Sequence, residues 1–264
     1  MALFKKKPKR EPIPGLIGEA TDYSIYTPKI GQLVLWFLIA LVASGAVLYL
    51  FYENLIVSVV VGVICGIAFI PMRTKTMVKK RRQKLSGQFR ELLDALATSI
   101  GAGKNVQDAF QGAVEDLANQ FTYDSDIVRE LQIICAGMYN NIAIEDLLMN
   151  FAERSGVDDI ANFANVFATC YRKGGNINEV IKNTAEIIGD KIEIKMELET
   201  MVSGQKNEMN IMLVMPILFI VVMKSMGGGL IDLSTPMGVL SVTIALAMFI
   251  VAYFAGQWIT NIKL

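Results

Sequence analysis

Histidine is absent from this sequence of 264 residues. The commonest general base and metal ligand is therefore missing. Cysteine is scarce. Cys65, Cys135 and Cys170 stand far apart with no CxxC, which excludes a disulfide framework and a zinc site and leaves three small buried hydrophobes. Neither a GxSxG elbow nor an HExxH motif occurs. Gly103-Lys104 is no P-loop, because Thr98 stands where its first glycine belongs and Asn105 where Ser or Thr belongs. Gly101-Ala102-Gly103 is no dinucleotide fingerprint, because Val106 replaces the third glycine. The carboxylate pairs Glu145-Asp146 and Asp158-Asp159 fall at expected helix starts, where the helix dipole favours acids. The expectation is a chain that is not an enzyme, holds no cofactor and no metal, and relies on another protein for any energy it uses.

What the sequence has in excess is apolar residues, 53% of the total, against about 45–50% in soluble domains. The excess collects in 33–72 and 209–259, and 73–208 has ordinary soluble composition. Membrane segments flanking one domain account for this better than one large core. Formal net charge is zero, so only the distribution of charge carries information. Lys5, Lys6, Lys7, Lys9 and Arg10 crowd the N-terminus, and Arg73, Lys75, Lys79, Lys80, Arg81, Arg82 and Lys84 follow an apolar run. Basic blocks beside apolar spans mark the cytoplasmic face of a membrane rather than nucleic acid.

Leu33 to Tyr52 is uncharged and long enough to cross a hydrocarbon core of ~30 Å. Trp36 at one end and Tyr49, Phe51 and Tyr52 at the other suit the interfaces. Leu55 to Met72 forms a second uncharged run, and the short break at Glu53-Asn54 makes the two an antiparallel hairpin. Its length and the long tail before it exclude a signal peptide. Near the C-terminus, Ile211 to Met223 is a short apolar run containing Pro216, with Lys224 placed to snorkel, and a re-entrant segment competes with a full span there. Gly227, Gly228 and Gly229, then Asp232 to Pro236, make a loop before the full span Met237 to Ile259, which Lys263 follows.

Between the pairs, apolar stripes at helical spacing succeed one another. They run through Phe89, Leu92, Leu93, Leu96 and Ile100; Val106, Ala109, Phe110, Ala113, Val114 and Leu117; Ile127, Leu131, Ile134 and Met138; Ile144, Leu147, Leu148 and Phe151; Ile160, Phe163, Phe167 and Cys170; and Ile177, Val180, Ile181, Ile188 and Ile192. Nothing stops the sixth helix before the third span, so the two form one long helix. An apolar-polar-acidic-apolar-apolar pattern recurs at Val106–Phe110, Ile144–Leu148 and Ile177–Ile181. Asn105 with Asp108, and Asn176 with Glu179, are the expected helix caps. The recurrence suggests a helical hairpin used repeatedly. The Gly174-Gly175 turn before Asn176 is a candidate hinge, with an ordinary C-cap as its alternative.

The expected fold is all-α: a polytopic membrane protein with four transmembrane helices flanking one cytoplasmic six-helix domain. Its parts are a basic cytoplasmic tail (1–32), a transmembrane hairpin (33–52 and 55–72), the domain (73–208) and a C-terminal pair (209–226 and 237–259). Both termini are expected in the cytoplasm.

Glu91–Leu96, Gly101–Val106, Phe151–Gly156 and above all Arg172-Lys173-Gly174-Gly175-Asn176 through Ile181 resemble the type II secretion system F domain. The likeness covers about 85–225, with Leu93 where relatives often place Pro before the acid matching Asp94. One such domain between two span pairs is similar to the inner-membrane platform proteins of Tad-type pilus systems. The resemblance implies a non-catalytic platform in the plasma (inner) membrane. It implies as partners a hexameric assembly ATPase, pilin-like subunits, further copies of the chain or a paralogue, and the lipid bilayer, with no nucleic acid. A small transporter or channel is the alternative. The lack of ionisable residues in the spans, Lys224 aside, speaks against it.

Overall fold

The computed structural model describes residues 13–17, 20–25, 28, 30–52, 54–225 and 236–260. The N-terminal basic block, Glu53, the glycine-rich loop with Asp232, and Lys263 lie outside the described residues, as does the side chain of Lys224. Among the described residues eight helices follow in order: α1 (Ile30–Tyr52), α2 (Leu55–Gly101), α3 (Val106–Phe121), α4 (Asp126–Tyr139), α5 (Ile144–Ser155), α6 (Asp158–Lys173), α7 (Ile177–Ser225) and α8 (Pro236–Thr260). No strand occurs among the described residues. Among the described residues four helices, α1, α2, α7 and α8, are long and apolar enough to cross a membrane. The chain is thus an all-α polytopic membrane protein.

The second span and the first domain stripe, separate in the sequence reading, are one helix of 47 residues. Pro71 lies inside it. Proline removes one backbone bond and crowds the preceding turn, yet membrane helices tolerate it because neighbouring groups re-satisfy the freed carbonyl. Between Met72 and Gly87 the sequence is rich in Lys and Arg, which favour helix, and contains neither Gly nor Pro. Nothing there breaks the backbone ladder. α7 likewise runs through 49 residues, past Gly189, Gly204 and Pro216.

The chain divides into two compact units, Met1–Thr27 with Lys75–Ile192, and Pro28–Thr74 with Glu193–Leu264. The first is a helical bundle with one apolar core. Leu85, Phe89, Leu92, Leu93 and Leu96 of α2 form its spine. The other helices each present the stripe that their periodicity required, through Phe110, Leu131, Leu148, Phe163 and Ile181. Phe89 meets Phe163 edge-on with ring centroids 5.4 Å apart, and Phe151 lies 6.3 Å from Phe89 on another side. Such pairs favour edge contacts because the ring face is negative and its rim positive.

In the second unit, α1 and α2 approach closely along small residues. A Cβ at Gly66 would stand 2.8 Å from the Phe37 ring, and one at Gly62 would stand 3.4 Å from the Leu41 carbonyl. Small residues four apart let membrane helices pack backbone to backbone, where burial from water supplies no drive. Tyr52 and Thr243 share a hydroxyl hydrogen bond of 3.0 Å that ties α1 to α8.

Candidate functional site

The three recurring sequence patterns sit in three turns of one geometry. At the end of α2, Gly103 is left-handed (φ 88°), and the next residue, Lys104, donates its backbone N–H to Ser99 O at 3.2 Å. At the end of α4, Asn141 is left-handed (φ 59°), and Ile142 donates to Gly137 O at 3.0 Å. At the end of α6, Gly174 is left-handed (φ 71°), and Gly175 donates to Cys170 O at 2.9 Å. Each bond spans five residues back into the helix, the signature of a Schellman cap. The residue after each donor, Asn105, Ala143 or Asn176, begins the next helix. The echo is therefore one helix–turn–helix connection repeated at α2–α3, α4–α5 and α6–α7. The other two connections within the bundle, through Thr122 (φ 90°) and Gly156 (φ 57°), show no five-residue bond among the described residues.

The capping side chains make reciprocal bonds. Asn105 Oδ1 accepts from the Asp108 backbone N–H at 2.8 Å, and its Nδ2 donates to the Asp108 carboxylate at 2.7 Å. Asn176 repeats the pair with Glu179, both bonds at 3.3 Å. Ala143 in the middle copy has no side chain able to cap. Gly174 and Gly175 have different reasons to be glycine. A Cβ at Gly174 would meet nothing within 4 Å, so its requirement is the left-handed backbone. A Cβ at Gly175 would stand 2.5 Å from Cys170 Sγ.

The turns gather at one end of the first unit, where a shallow open pocket is lined by Val106 and Gln107 of α3, Met138 of α4, the stretch Asn141 to Glu145 leading into α5, and Tyr171 of α6. Asn178 in the first turn of α7 lies against Gly101. Arg172 donates to Glu145 at 3.3 Å on this surface, and Tyr139, the last residue of α4, is 84% exposed. Among the described residues no group of His, Cys, Asp and Glu is placed to hold a metal ion.

A second polar site was not anticipated from the sequence. Arg154 of α5 and Glu130 of α4 are each 1% exposed and form a two-pronged ion pair, at 2.7 and 2.6 Å. Arg154 also donates to Asn150 Oδ1 (2.8 Å) and to Thr21 O (3.1 Å). Tyr23, 1% exposed, donates its hydroxyl to Glu130 at 2.9 Å and its backbone N–H to Arg154 O at 3.0 Å. Burial, then the Glu130 and Asp126 carboxylates, push the Tyr23 phenol far above its ordinary range. Arg81 closes the site from α2, its guanidinium 4.7 Å over the Tyr23 ring and bonded to both oxygens of Asp126 at 2.6 and 2.9 Å.

The segment before α1, read from sequence as a basic tail, is thus in its described part a strap on the bundle. Asn150 donates to Pro14 O at 3.1 Å, and Arg82 to Ser24 Oγ at 2.8 Å. A signal for half of this site was present. Glu130 lies on the stripe of Ile127 and Ile134, and Arg154 on that of Leu147 and Phe151, so opposite charges stood on the apolar faces of successive helices. Nothing in the sequence around Tyr23 pointed to its partner.

Residues 92–223 match the family described as Type II secretion system (T2SS), protein F. No curated protein and no solved structure matches the chain. The match begins within the α2 spine of the core and ends within the apolar stretch of α7. The strap and Tyr23 lie before it.

Proposed function

Because the chain belongs to the type II secretion system protein F family, we propose that it is the non-catalytic inner-membrane platform of a type IV pilus-like machine of the Tad type. It couples a hexameric cytoplasmic ATPase to the movement of pilin-like subunits out of the bilayer. The observation that carries this reading is the extent of the family match, which takes in the helical domain and continues along α7 into an apolar, span-forming stretch. The helical geometry suits the task. α7 belongs to the domain at its first turns and to the membrane-forming unit further on, as one continuous helix that lacks a backbone bond at Pro216. A displacement of the first turns is carried along one hydrogen-bonded rod.

In this reading the ATPase contacts the end of the domain that carries the three turns, at the C-terminal end of α2 and away from its apolar half. Tyr139, exposed at the end of α4, suits an aromatic anchor. Further copies of the chain, or a paralogue, complete the platform. Copurification from mild detergent tests the reading. The assembly ATPase should come down with the wild-type chain and be lost with Tyr139→Ala at unchanged membrane level. An ATPase absent from the wild-type preparation, together with solute flux through reconstituted vesicles, would overturn it in favour of a transporter.

A further inference from the structure

The basic block after the apolar half of α2 contains two kinds of cation with different surroundings. Its arginines are engaged inside the chain. Arg73 lies over Trp36 and Phe69 at 6.0 and 5.7 Å, Arg81 holds Asp126, and Arg82 bonds Ser24. Its lysines make no ion pair or hydrogen bond among the described residues. Lys75, Lys79, Lys80 and Lys84 are all exposed. Among the described residues, no carboxylate pairs with any of them. Four like charges within ten residues of one helix repel one another and add nothing to its stability. A merely soluble surface would be served as well by mixed signs.

Their position gives the cluster a use. α2 is continuous from Leu55 through this block, so at ~1.5 Å per residue Lys75 lies about 4–5 Å beyond Met72 along the helix. Lys79 and Lys80 lie about 11–12 Å beyond it. The headgroup layer on each side of a bilayer is roughly 5–8 Å deep, and a lysine stem adds reach back toward it. We propose that Lys75, Lys79 and Lys80 bind the phosphate groups of anionic phospholipids in the leaflet that borders the domain, with Lys84 adding attraction at longer range. The residue type fits this occupant. Lysine is a compact, flexible point charge that serves many mobile headgroups, whereas a single fixed phosphate is better held by the planar fork of arginine. In this block the arginines are committed to the fold, and the lysines are left for the lipid.

The test uses the purified full chain reconstituted in mixed phosphatidylcholine and phosphatidylglycerol vesicles. Mass spectrometry measures the ratio of the two lipids retained on extraction into mild detergent. A near-surface lysine is worth roughly a fivefold preference for anionic lipid. The triple variant Lys75→Gln/Lys79→Gln/Lys80→Gln should therefore lose at least about tenfold of the wild-type ratio, while the arginine triple keeps it. Lys104→Gln, exposed at the other end of α2, should leave the ratio unchanged. Added chloride and added inorganic phosphate at equal ionic strength should weaken retention equally. A glutamine triple with the wild-type ratio, or an equal loss in Lys104→Gln, would overturn the proposal. Phosphate competing well beyond chloride would also overturn it, in favour of a site for free phosphate. Should the triple variant fail to fold, Lys79→Gln alone gives the same reading at about fivefold.

Discussion

Arg154 and Glu130 illustrate how strongly a buried charge depends on its partner. Together they satisfy each other with two short bonds, and Tyr23, Asn150 and the Thr21 carbonyl fill remaining positions. Removing one partner strands the other in a medium that solvates it poorly. Arg154→Ala is expected to cost about 3–5 kcal/mol, read as a fall in thermal stability of the purified protein. The apolar double variant Arg154→Met/Glu130→Leu should recover most of the loss, and a double variant as unstable as the single would refute this account. Tyr23 adds a pH dependence. Its phenol pKa is raised in the folded state, so its stabilisation is fully present below the unfolded value near 10. It is lost as pH rises above that value, because the unfolded chain then ionises and the folded one does not. Tyr23→Phe should weaken the protein by about 1–3 kcal/mol at neutral pH and lack this alkaline increment of destabilisation, as measured by melting temperature against pH. Phe110 and Phe163, at 0% and 1% exposure, obey ordinary core energetics. Truncating either to alanine should cost about 3–5 kcal/mol and sharply lower protein level.

At the scale of elements, three hairpin turns share one backbone solution and differ in side chain. Position 141 solves the left-handed requirement with asparagine, the residue that tolerates that region best after glycine. Gly174→Asn should therefore be milder than Gly174→Ala, which should cost about 1–2 kcal/mol in domain stability. Gly175 has no left-handed requirement, and its obstacle is one flexible sulfur. Gly175→Ala should be restored by Cys170→Ala. These outcomes belong to a cap. A hinge at the start of α7 makes a different demand: either alanine variant, folded and abundant, would still fail in pilus assembly or secretion. Normal assembly in a stable variant at either glycine removes the hinge and leaves the cap.

For the whole molecule, topology links the charge pattern to function. The positive-inside rule predicts both termini and the domain in the cytoplasm, because every dense Lys/Arg block would then lie on one side. Single-cysteine probes at Ser86 and Asn141 should be shielded from impermeant reagent in intact cells and labelled after lysis. Labelling of either from outside would reverse the orientation, and outside labelling of a C-terminal probe alone would make the apolar part of α7 re-entrant. The natural Cys65, which is exposed, and the half-buried Cys135 and Cys170 are replaced in this background; burial pushes the Cys135 thiol up to about 11. The strap gives the first unit a contact with the segment leading into α1, so the domain is completed by residues from both sides of the first hairpin.

The sequence by itself determined the all-helical class, the four apolar stretches, the six stripes, the long α7 and the two capped helix starts. Each of these is local: hydrophobic periodicity, uncharged length and a capping residue three positions from its acid act within one or two turns of chain. Tertiary structure alone decided where the charges went. Tyr23 and Glu130 are separated by 107 residues and meet only because the bundle brings α4 beside the N-terminal segment. The division of one basic block into inward arginines and outward lysines likewise depends on which face of α2 meets Trp36, Tyr23 and Asp126. Local pattern records that a residue is charged. Only packing decides whether its field is spent on a neighbour or left for the surroundings, because that depends on a distance no periodicity encodes.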